Sequence, residues 1–400
     1  FGIVDARCIQ IQIQGGSPMM RKSSSVAVQG LLAVATCGIS YKLLSMIISR
    51  RSCSSSSKRR NSNSIKISVI GDAFTDILIG PVSKLPEWGQ DTLVKEPFQI
   101  MAGGSALNTV VQMAALEGLP PPPLPNGRPS PPIPPVEFTF HSRIGADSFG
   151  SILLDRLFQA GVKPSLPKGH EKVGSGACLV LTGPRDRAFV TYGGAVSELG
   201  EADLDLDLLR GASHVHVGGY YNCPALRPAL PRLLRALRAP GGGGGGRGGA
   251  TTSLVPQSDA AGRWDGLGEV LPHVDVLLVN QDEAFALTGM DDPVEAVSAF
   301  LKQGAGVVVV TMGKQGAVAG KMHAGKEIVY RGSTKKVKEV VDTTGAGDAF
   351  CAGFLYAWKT TDDIPYALEL AACSGAYIVT KFGASVTPTH KDIQDLLNQE

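Results

Sequence analysis

"VVDTTGAGDAFCAG", residues 340 to 353, sets one carboxylate, Asp348, inside a glycine-rich turn that leads from β-branched residues into an apolar helical pattern. A helix begun through glycines leaves its first amide N–H groups free, and its dipole adds partial positive charge there. Gly345, Ala346 and Gly347 can bring backbone close to a phosphate, because two of the three carry no Cβ. A carboxylate beside them can take a proton from a hydroxyl while the amides stabilise charge on a transferring phosphoryl group. The same acid could instead merely cap the helix "AFCAGFLYAW", since Asp is favoured at helix N-termini. Two other phosphate-binding devices do not fit. "GKMHAGKE", 320 to 327, imitates a P-loop as far as Lys326 but has Glu327 where a Ser or Thr should hold magnesium. "GAGDAF" lacks the third glycine of a dinucleotide fingerprint.

Working outward, short apolar runs alternate with helical patterns from Ile65 onward. "IKISVIG", "FTFHSRIG", "SHVHVGG", "VDVLLVN" and "GVVVVTMG" predict buried strands. "SALNTVVQMAAL", "FGSILLDRLFQA", "ALRPALPRLLRALR" and "PVEAVSAFLKQG" predict helices with one apolar face. Strand then helix, repeated, means an α/β protein with a mainly parallel sheet and helices on both faces. Ligands then sit beyond the carboxyl ends of the strands. "DTLVKEPFQI" and "GACLVLTGPRDRAFVTYGGA" break the alternation and read as antiparallel strands, the second turning near Pro184 to Asp186. They either form a small β flap, about residues 81 to 100 and 173 to 195, or extend the main sheet.

The 400 residues are 43% apolar and 18% charged, enough for a sizeable core. Lys and Arg number 38 against 36 Asp and Glu, a net +2, which argues against a broad nucleic-acid-binding face. The seven cysteines are odd in number and contain no CxxC, so a reducing compartment fits better than a disulfide framework.

Residues 1 to 64 read as a separate N-terminal segment. From Ala6 to Gly71 there is no acid, while Arg21, Lys22, Arg50, Arg51, Lys58, Arg59 and Arg60 flank a serine-rich run. That composition is how a plastid or mitochondrial transit segment reads, with a disordered tail as the alternative, and without a transit segment the protein would stay in the cytoplasm. Residues 26 to 48 are long enough to span a bilayer, though Gln29 and Lys42 interrupt them, so a membrane role requires that they remain as an uncleaved anchor. The chain begins with Phe1, which makes Met19 or Met20 a candidate start and residues 1 to 18 a candidate artefact. Within the body, 65 to 400, the proline-rich 119 to 135 and the glycine-rich 240 to 250 read as surface insertions.

"DTTGAGDAFCAGF" resembles the C-terminal signature of the PfkB, or ribokinase-like, family of carbohydrate kinases. "GGSALNTV", 103 to 110, is similar to that family's N-terminal signature. "VNQDEA" resembles its N-x-x-E element, and "VVVTMGKQGAV" its nucleotide-side strand and turn. The four occur in the family's order, over roughly residues 65 to 395. The resemblance implies a ribokinase-like three-layer α/β/α fold with a small β-sheet lid, which in several members also forms a homodimer interface. It implies an ATP- and Mg2+-dependent kinase with Asp348 as general base and Gly345, Ala346 and Gly347 as the anion hole. Asp76, Gly103, Gly104 and Asn108 would hold a sugar. Asn280 and Glu283 would organise magnesium through waters, and Asn280, Thr311 and Gly313 would line the nucleotide site. Asp342 and Thr344, with the chain near Gly383 and Ala384, resemble the loop that in many members binds a monovalent cation such as K+. Each position also has a plainer reading. Asp76 could form a turn after the first strand, Asn108 could cap a helix, and Asn280 with Glu283 could begin one.

The chain departs from the pattern in places. Phe74 stands where ribokinases carry a sugar-contacting Asn. Tyr220, Tyr221 and Asn222 stand where an acidic sugar contact is expected, and the tyrosines could pack on a sugar face or a nucleoside base. Val255 replaces a residue often polar in related chains. The leading expectation is a kinase for a primary hydroxyl of a pentose or hexose, such as ribose or fructose. A nucleoside kinase and a non-catalytic organelle interaction protein are the alternatives. The last should have lost the base or the magnesium element, and Asp348, Asn280 and Glu283 are all present.

Overall fold

Val307, Val308, Val309 and Val310 carry the logic of the fold. In a strand, successive side chains point to opposite faces. Val307 and Val309 enter one core cluster, and Val308 and Val310 the other. Val276 and Leu278, against Leu277 and Val279, divide the same way. A run that is apolar at every position is therefore a strand with helices on both faces, and the protein is a three-layer α/β/α structure.

The computed structural model describes residues 64–123, 128–167, 172–183, 187–239 and 249–399. Nearly all of the expected transit segment lies outside these residues, as do its apolar run 26–48, the hairpin tip 184–186 and most of the 240–250 insertion. No described helix is long and apolar enough to cross a membrane.

Thirteen described strands follow in chain order: β1 (Ile65–Gly71), β2 (Phe74–Ile79), β3 (Gln99–Gly103), β4 (Val136–His141), β5 (Lys163–Ser165), β6 (Gly176–Thr182), β7 (Arg187–Tyr192), β8 (His214–Gly218), β9 (Thr251–Val255), β10 (Val276–Asn280), β11 (Val307–Thr311), β12 (Ala317–His323) and β13 (Lys326–Gly332). Nine form the main sheet, in the order β13-β12-β11-β10-β9-β8-β1-β4-β5. The seven strands from β11 to β5 are parallel to their neighbours, and β12 and β13 are antiparallel. The "GKMHAGKE" stretch is the β12–β13 hairpin and not a phosphate loop.

The helix Ser105–Leu116 falls where its pattern puts it, and so do Ser148–Gln159 and Pro293–Lys302 within a residue or two. The first packs on the same face as the helices Ala346–Thr361 and Ile364–Ile378, whose apolar stripes fill the first core cluster. Two histidines on β8 fit this interior because they have partners. His214 Nε2 and His216 Nδ1 each lie 2.8 Å from Ser253 Oγ on β9. Burial keeps both rings neutral by pushing their pKa values down.

The other four strands form a separate sheet, β3-β2-β6-β7. A small second sheet was expected, but its strands differ from the forecast. The hairpin β6–β7 is present, pairing Ala177 with Tyr192 through Thr182 with Arg187. It pairs through β6 with β2, which in turn pairs with β3, whereas residues 81 to 98 contain no strand. The proline-rich insertion has no helix or strand among its described residues, and it is pinned at one end by the buried Leu119.

Candidate active site

Strand ends position the site. β10 and β11 finish side by side at Asn280 and Thr311, and β1 and β8 finish at Gly71 and Gly218. Beyond β10 and β11 lies a cavity of about 440 Å3, lined by Asn280, Glu283, Thr311, Gly345, Gly347 and Asp348. Arg187 and Phe189 reach into it from β7 of the small sheet, and Val255 borders it at the end of β9. A second cavity of about 350 Å3 shares Thr311, Thr343, Gly347 and Phe350 with the first. Gly313 and the apolar side chains of Val337, Val340, Leu368 and Val379 line it. A chamber of mixed polar and apolar lining thus continues into a more apolar slot through the glycine-rich turn.

The turn begins the helix Ala346–Thr361 through Gly345, and no side chain caps that end. Gly345 has φ +77°, and a Cβ there would come 2.5 Å from Ala384 Cβ, so only glycine fits. The Ala346 N–H turns back to Thr343 O at 3.3 Å, so it is the amides of Gly345 and Gly347 that are left to an outside acceptor. Asp348 does not cap the helix. Its carboxyl accepts a hydrogen bond from Asn108 Nδ2 at 2.9 Å, which also disposes of Asn108 as a mere cap. The contact spans 240 residues and joins the glycine-rich turn to the helix Ser105–Leu116. Burial, with the nearby charges of Asp72 and Asp76, pushes Asp348 up to about 7, although Asn108 and the Ser105 hydroxyl pull the other way.

Asp76 lies within β2, opposite Met101 of β3, and not in a turn. Gly103 leaves it room: a Cβ at 103 would sit 2.1 Å from Asp76 Oδ2. Gly104 precedes the helix Ser105–Leu116, whose Ala106 N–H donates to Asp72 Oδ1 at 2.8 Å. Asp72 also accepts from Asn222 Nδ2 at 2.7 Å. Burial and the Asp72 charge raise Asp76 to about 7, and burial raises Asp72 as well. Asp76, Gly103, Gly104 and Asn108 do not line the larger cavity. Asn108 connects them to it by holding Asp348.

Asn280 and Glu283 do begin a helix, Gln281–Thr288, as the plainer reading supposed. Asn280 Oδ1 accepts from Glu283 N at 2.8 Å, and Glu283 Oε2 accepts from Asn280 N at 3.1 Å, a reciprocal capping box. Both residues also line the cavity with Asp348, so the two readings coexist. Glu283 is buried, which raises its carboxyl to about 7. A buried carboxylate facing a phosphate-sized chamber is a suitable group to hold a hydrated magnesium ion.

Asp342 organises the loop before the turn. Its Oδ1 accepts from Thr344 N at 2.9 Å and Thr344 Oγ1 at 2.7 Å, and its Oδ2 from Gly383 N at 3.0 Å. Burial opposes its charge, but these bonds and the Arg187 guanidinium hold its carboxyl below the usual range.

Asp72 and Arg187 join the site without a local sequence signal, and Tyr220 and Tyr221 do not offer their faces to a sugar or a base. Tyr220 is 1% and Tyr221 8% exposed. Their rings meet edge to face at 5.0 Å, under the Arg227 guanidinium at 4.9 and 5.0 Å. Their faces are occupied by the core and cannot take a sugar or a base. Phe74 is buried too, with its ring against Gly176.

A cleft at the ends of parallel strands, with an acid inside an uncapped glycine-rich helix start, defines a phosphotransferase that acts on an alcohol group. The chain belongs to the pfkB family of carbohydrate kinases, whose description matches residues 64–391. It is 27% identical over 325 residues to an ATP-dependent ribose-1-phosphate kinase of Halopiger xanaduensis, covering 80% of this chain and 93% of that one. It is 30% identical over 273 residues to fructokinase-2 of Zea mays, covering 64% and 79%. It is 24% identical over 307 residues to adenosine kinase of Saccharomyces cerevisiae, covering 74% and 83%. Among solved structures, Arabidopsis thaliana ribokinase complexed with ribose and ATP aligns with TM-score 0.64 and 24% identity, over 84% of this chain and 100% of that one. Membership of the family, with such relatives, makes this protein a sugar or nucleoside kinase.

Proposed function

We propose that the protein is an ATP-dependent kinase that transfers the γ-phosphate to a primary hydroxyl of a neutral pentose or hexose, with Asp348 as general base. The observation that carries this reading is the Asn108–Asp348 contact beside the uncapped helix start. Asn108 aims the carboxylate, the amides of Gly345 and Gly347 receive the migrating phosphoryl charge, and the acid accepts the acceptor's proton. The apolar slot beyond Thr311 and Gly313 suits a nucleotide base, leaving the triphosphate to run toward the turn. Asn280 and Glu283 would hold magnesium through water, and the ion when bound supplies positive charge to the phosphates. Asp76 and Asn108 give the sugar hydroxyls an acceptor and a mixed partner, with Gly103 and Gly104 bringing the backbone close. Apolar side chains on the lid sheet, among them Ile100, Val190 and Tyr192, are exposed and would suit a second copy in a homodimer.

A general base raised to about 7 sets the pH dependence. Below that value Asp348 is protonated and cannot accept a proton. kcat/KM for the acceptor is expected to fall about tenfold per pH unit on the acid side and to level off above pH 7. A flat profile between pH 5 and 8 would remove Asp348 from this role.

Asp72, Asp76 and Asp348 crowd the acceptor side, and the charges of the first two act on the third. In their ionised forms, which burial confines to the alkaline side of about pH 7 for Asp76 and Asp348, these carboxylates suit a neutral polyol and repel a phosphorylated or carboxylated sugar. A panel of ribose, fructose, adenosine, ribose 1-phosphate and fructose 6-phosphate with ATP and magnesium tests this. A neutral sugar is expected to be turned over fastest. Preference for adenosine would favour the nucleoside reading, which rests on similarity to yeast adenosine kinase. Preference for either sugar phosphate would defeat the neutral-acceptor reading.

A further inference from the structure

A carboxylate beside a phosphate-binding turn needs a counter-charge, because it would otherwise repel the arriving anion. Asp342 is such a carboxylate, two residues before Thr344 and three before Gly345. Its resemblance to a monovalent-cation loop leads one to expect a metal ion there. The residues present do not fit one. Oδ1 accepts from Thr344 N, from Thr344 Oγ1 and, at 3.2 Å, from Arg187 Nη1, while Oδ2 accepts from Gly383 N. Three of these four donors crowd Oδ1 and one meets Oδ2, so the side of the carboxylate that faces the turn is already taken by the chain's own donors. The same guanidinium donates to Thr343 Oγ1 at 2.7 Å and to Thr344 Oγ1. Two threonine hydroxyls and the carboxylate that orders the turn are therefore held by one cation of the chain itself.

That cation comes from elsewhere in the molecule. Arg187 is the first residue of β7, on the lid sheet, 155 positions from Asp342 in sequence. Its planar, permanently charged fork suits several oxygens at fixed positions better than a diffuse ion would. The Arg187 and Asp342 side chains are only 27% and 12% exposed, so solvent screens the pair little.

We infer that Arg187 supplies the positive charge of the Asp342 loop in place of a monovalent cation, so that the loop is complete only while the lid lies over the site. Arg187 is then a positioning residue, acting on the anion hole through Asp342, Thr343 and Thr344. The idea rests on the kinase reading for its consequence in turnover, but not for its consequence in ion binding.

The experiment compares the full chain with Arg187→Ala in KCl, NaCl and choline chloride at one ionic strength. Melting temperature, affinity for ATP without acceptor, and turnover are measured in each salt. The parent protein should melt alike in all three. Arg187→Ala should turn over at least about tenfold more slowly in choline chloride. Potassium alone should then raise its melting temperature saturably and tighten ATP binding about fivefold or more, by filling the vacated charge. Should Arg187→Ala not fold, Arg187→Gln keeps the bulk and loses the charge, with the same expectation. A saturable potassium response in the parent protein overturns the inference, and so does a variant indifferent to potassium. If the parent phosphorylated nothing in any salt, the kinase reading would fall, while melting and ATP binding would still decide the role of Arg187.

Discussion

Asp348→Asn is expected to lower turnover by about 10² to 10⁴ while ATP affinity survives, because the amide keeps the shape and loses the proton acceptor. The Asn108 contact makes this a clean test. Asn108 Nδ2 donates to Asp348 Oδ2 at 2.9 Å, and an amide oxygen can accept the same bond. Packing around position 348 should therefore hold. Stability supplies an independent readout. A carboxyl raised from an ordinary 3.8 to about 7 binds its proton more tightly folded than unfolded. The stability it contributes is fully present below pH 3.8 and is lost as pH rises through about 7. At pH 8 the parent carries a buried, like-charge-crowded carboxylate that the variant lacks. Asp348→Asn should accordingly melt higher than the parent at pH 8 and lose that advantage as the pH is lowered toward 4. A variant with parental turnover would refute the base; one that is slow but no more stable at pH 8 would refute the raised pKa.

The second large effect separates the two glycines of the turn. Gly345 has φ +77° and Ala384 against its missing Cβ. Gly345→Ala should cost about 1–2 kcal/mol in backbone strain alone and displace the amides, with turnover down about 10² to 10³. Gly347 is different. It lies inside the helix Ala346–Thr361, a Cβ there meets nothing within 4 Å, and the residue borders both cavities. Gly347→Ala should leave stability unchanged or raise it by about 0.5–1 kcal/mol, as for Gly→Ala within a helix. Turnover should nonetheless fall about tenfold or more, because the methyl group stands where the phosphoryl group must pass. Thermal melts and steady-state kinetics on both variants check this. Equal loss of stability and activity in the two would mean that the turn is only structural.

What could be read from sequence follows from where each feature is encoded. The central strands were legible because β-branched residues such as Val307–Val310 fill both faces at every position. The helix Ser105–Leu116 was legible from its apolar stripe, and a helix start at Asn280 and Glu283 from the residue types, though the reciprocal capping box emerges only in the structure. The strands β2 and β3 were harder. β2 follows β1 after only Asp72 and Ala73, too short a link to signal a change of sheet. β12 and β13 were not forecast as strands either, since the hairpin interior mixes glycine, lysine and histidine. Asp72 was invisible because its partners are Ala106 and Asn222, far along the chain. Arg187 belonged to a charged hairpin that reads as solvated, and its contacts are tertiary. Tyr220 and Tyr221 lie in a short 3-10 turn without periodicity, so nothing local could say that Trp264 and Arg227 would cover Tyr221.

The most direct measurement is a crystal structure with ADP, magnesium, aluminium fluoride and a neutral sugar that the panel identifies as a substrate. The fluoride should lie against the amides of the Gly345–Gly347 turn, with the sugar's primary hydroxyl within about 3 Å of the Asp348 carboxylate. Fluoride bound away from that turn, or a primary hydroxyl served by another residue with Asp348 facing away, would contradict the assignment.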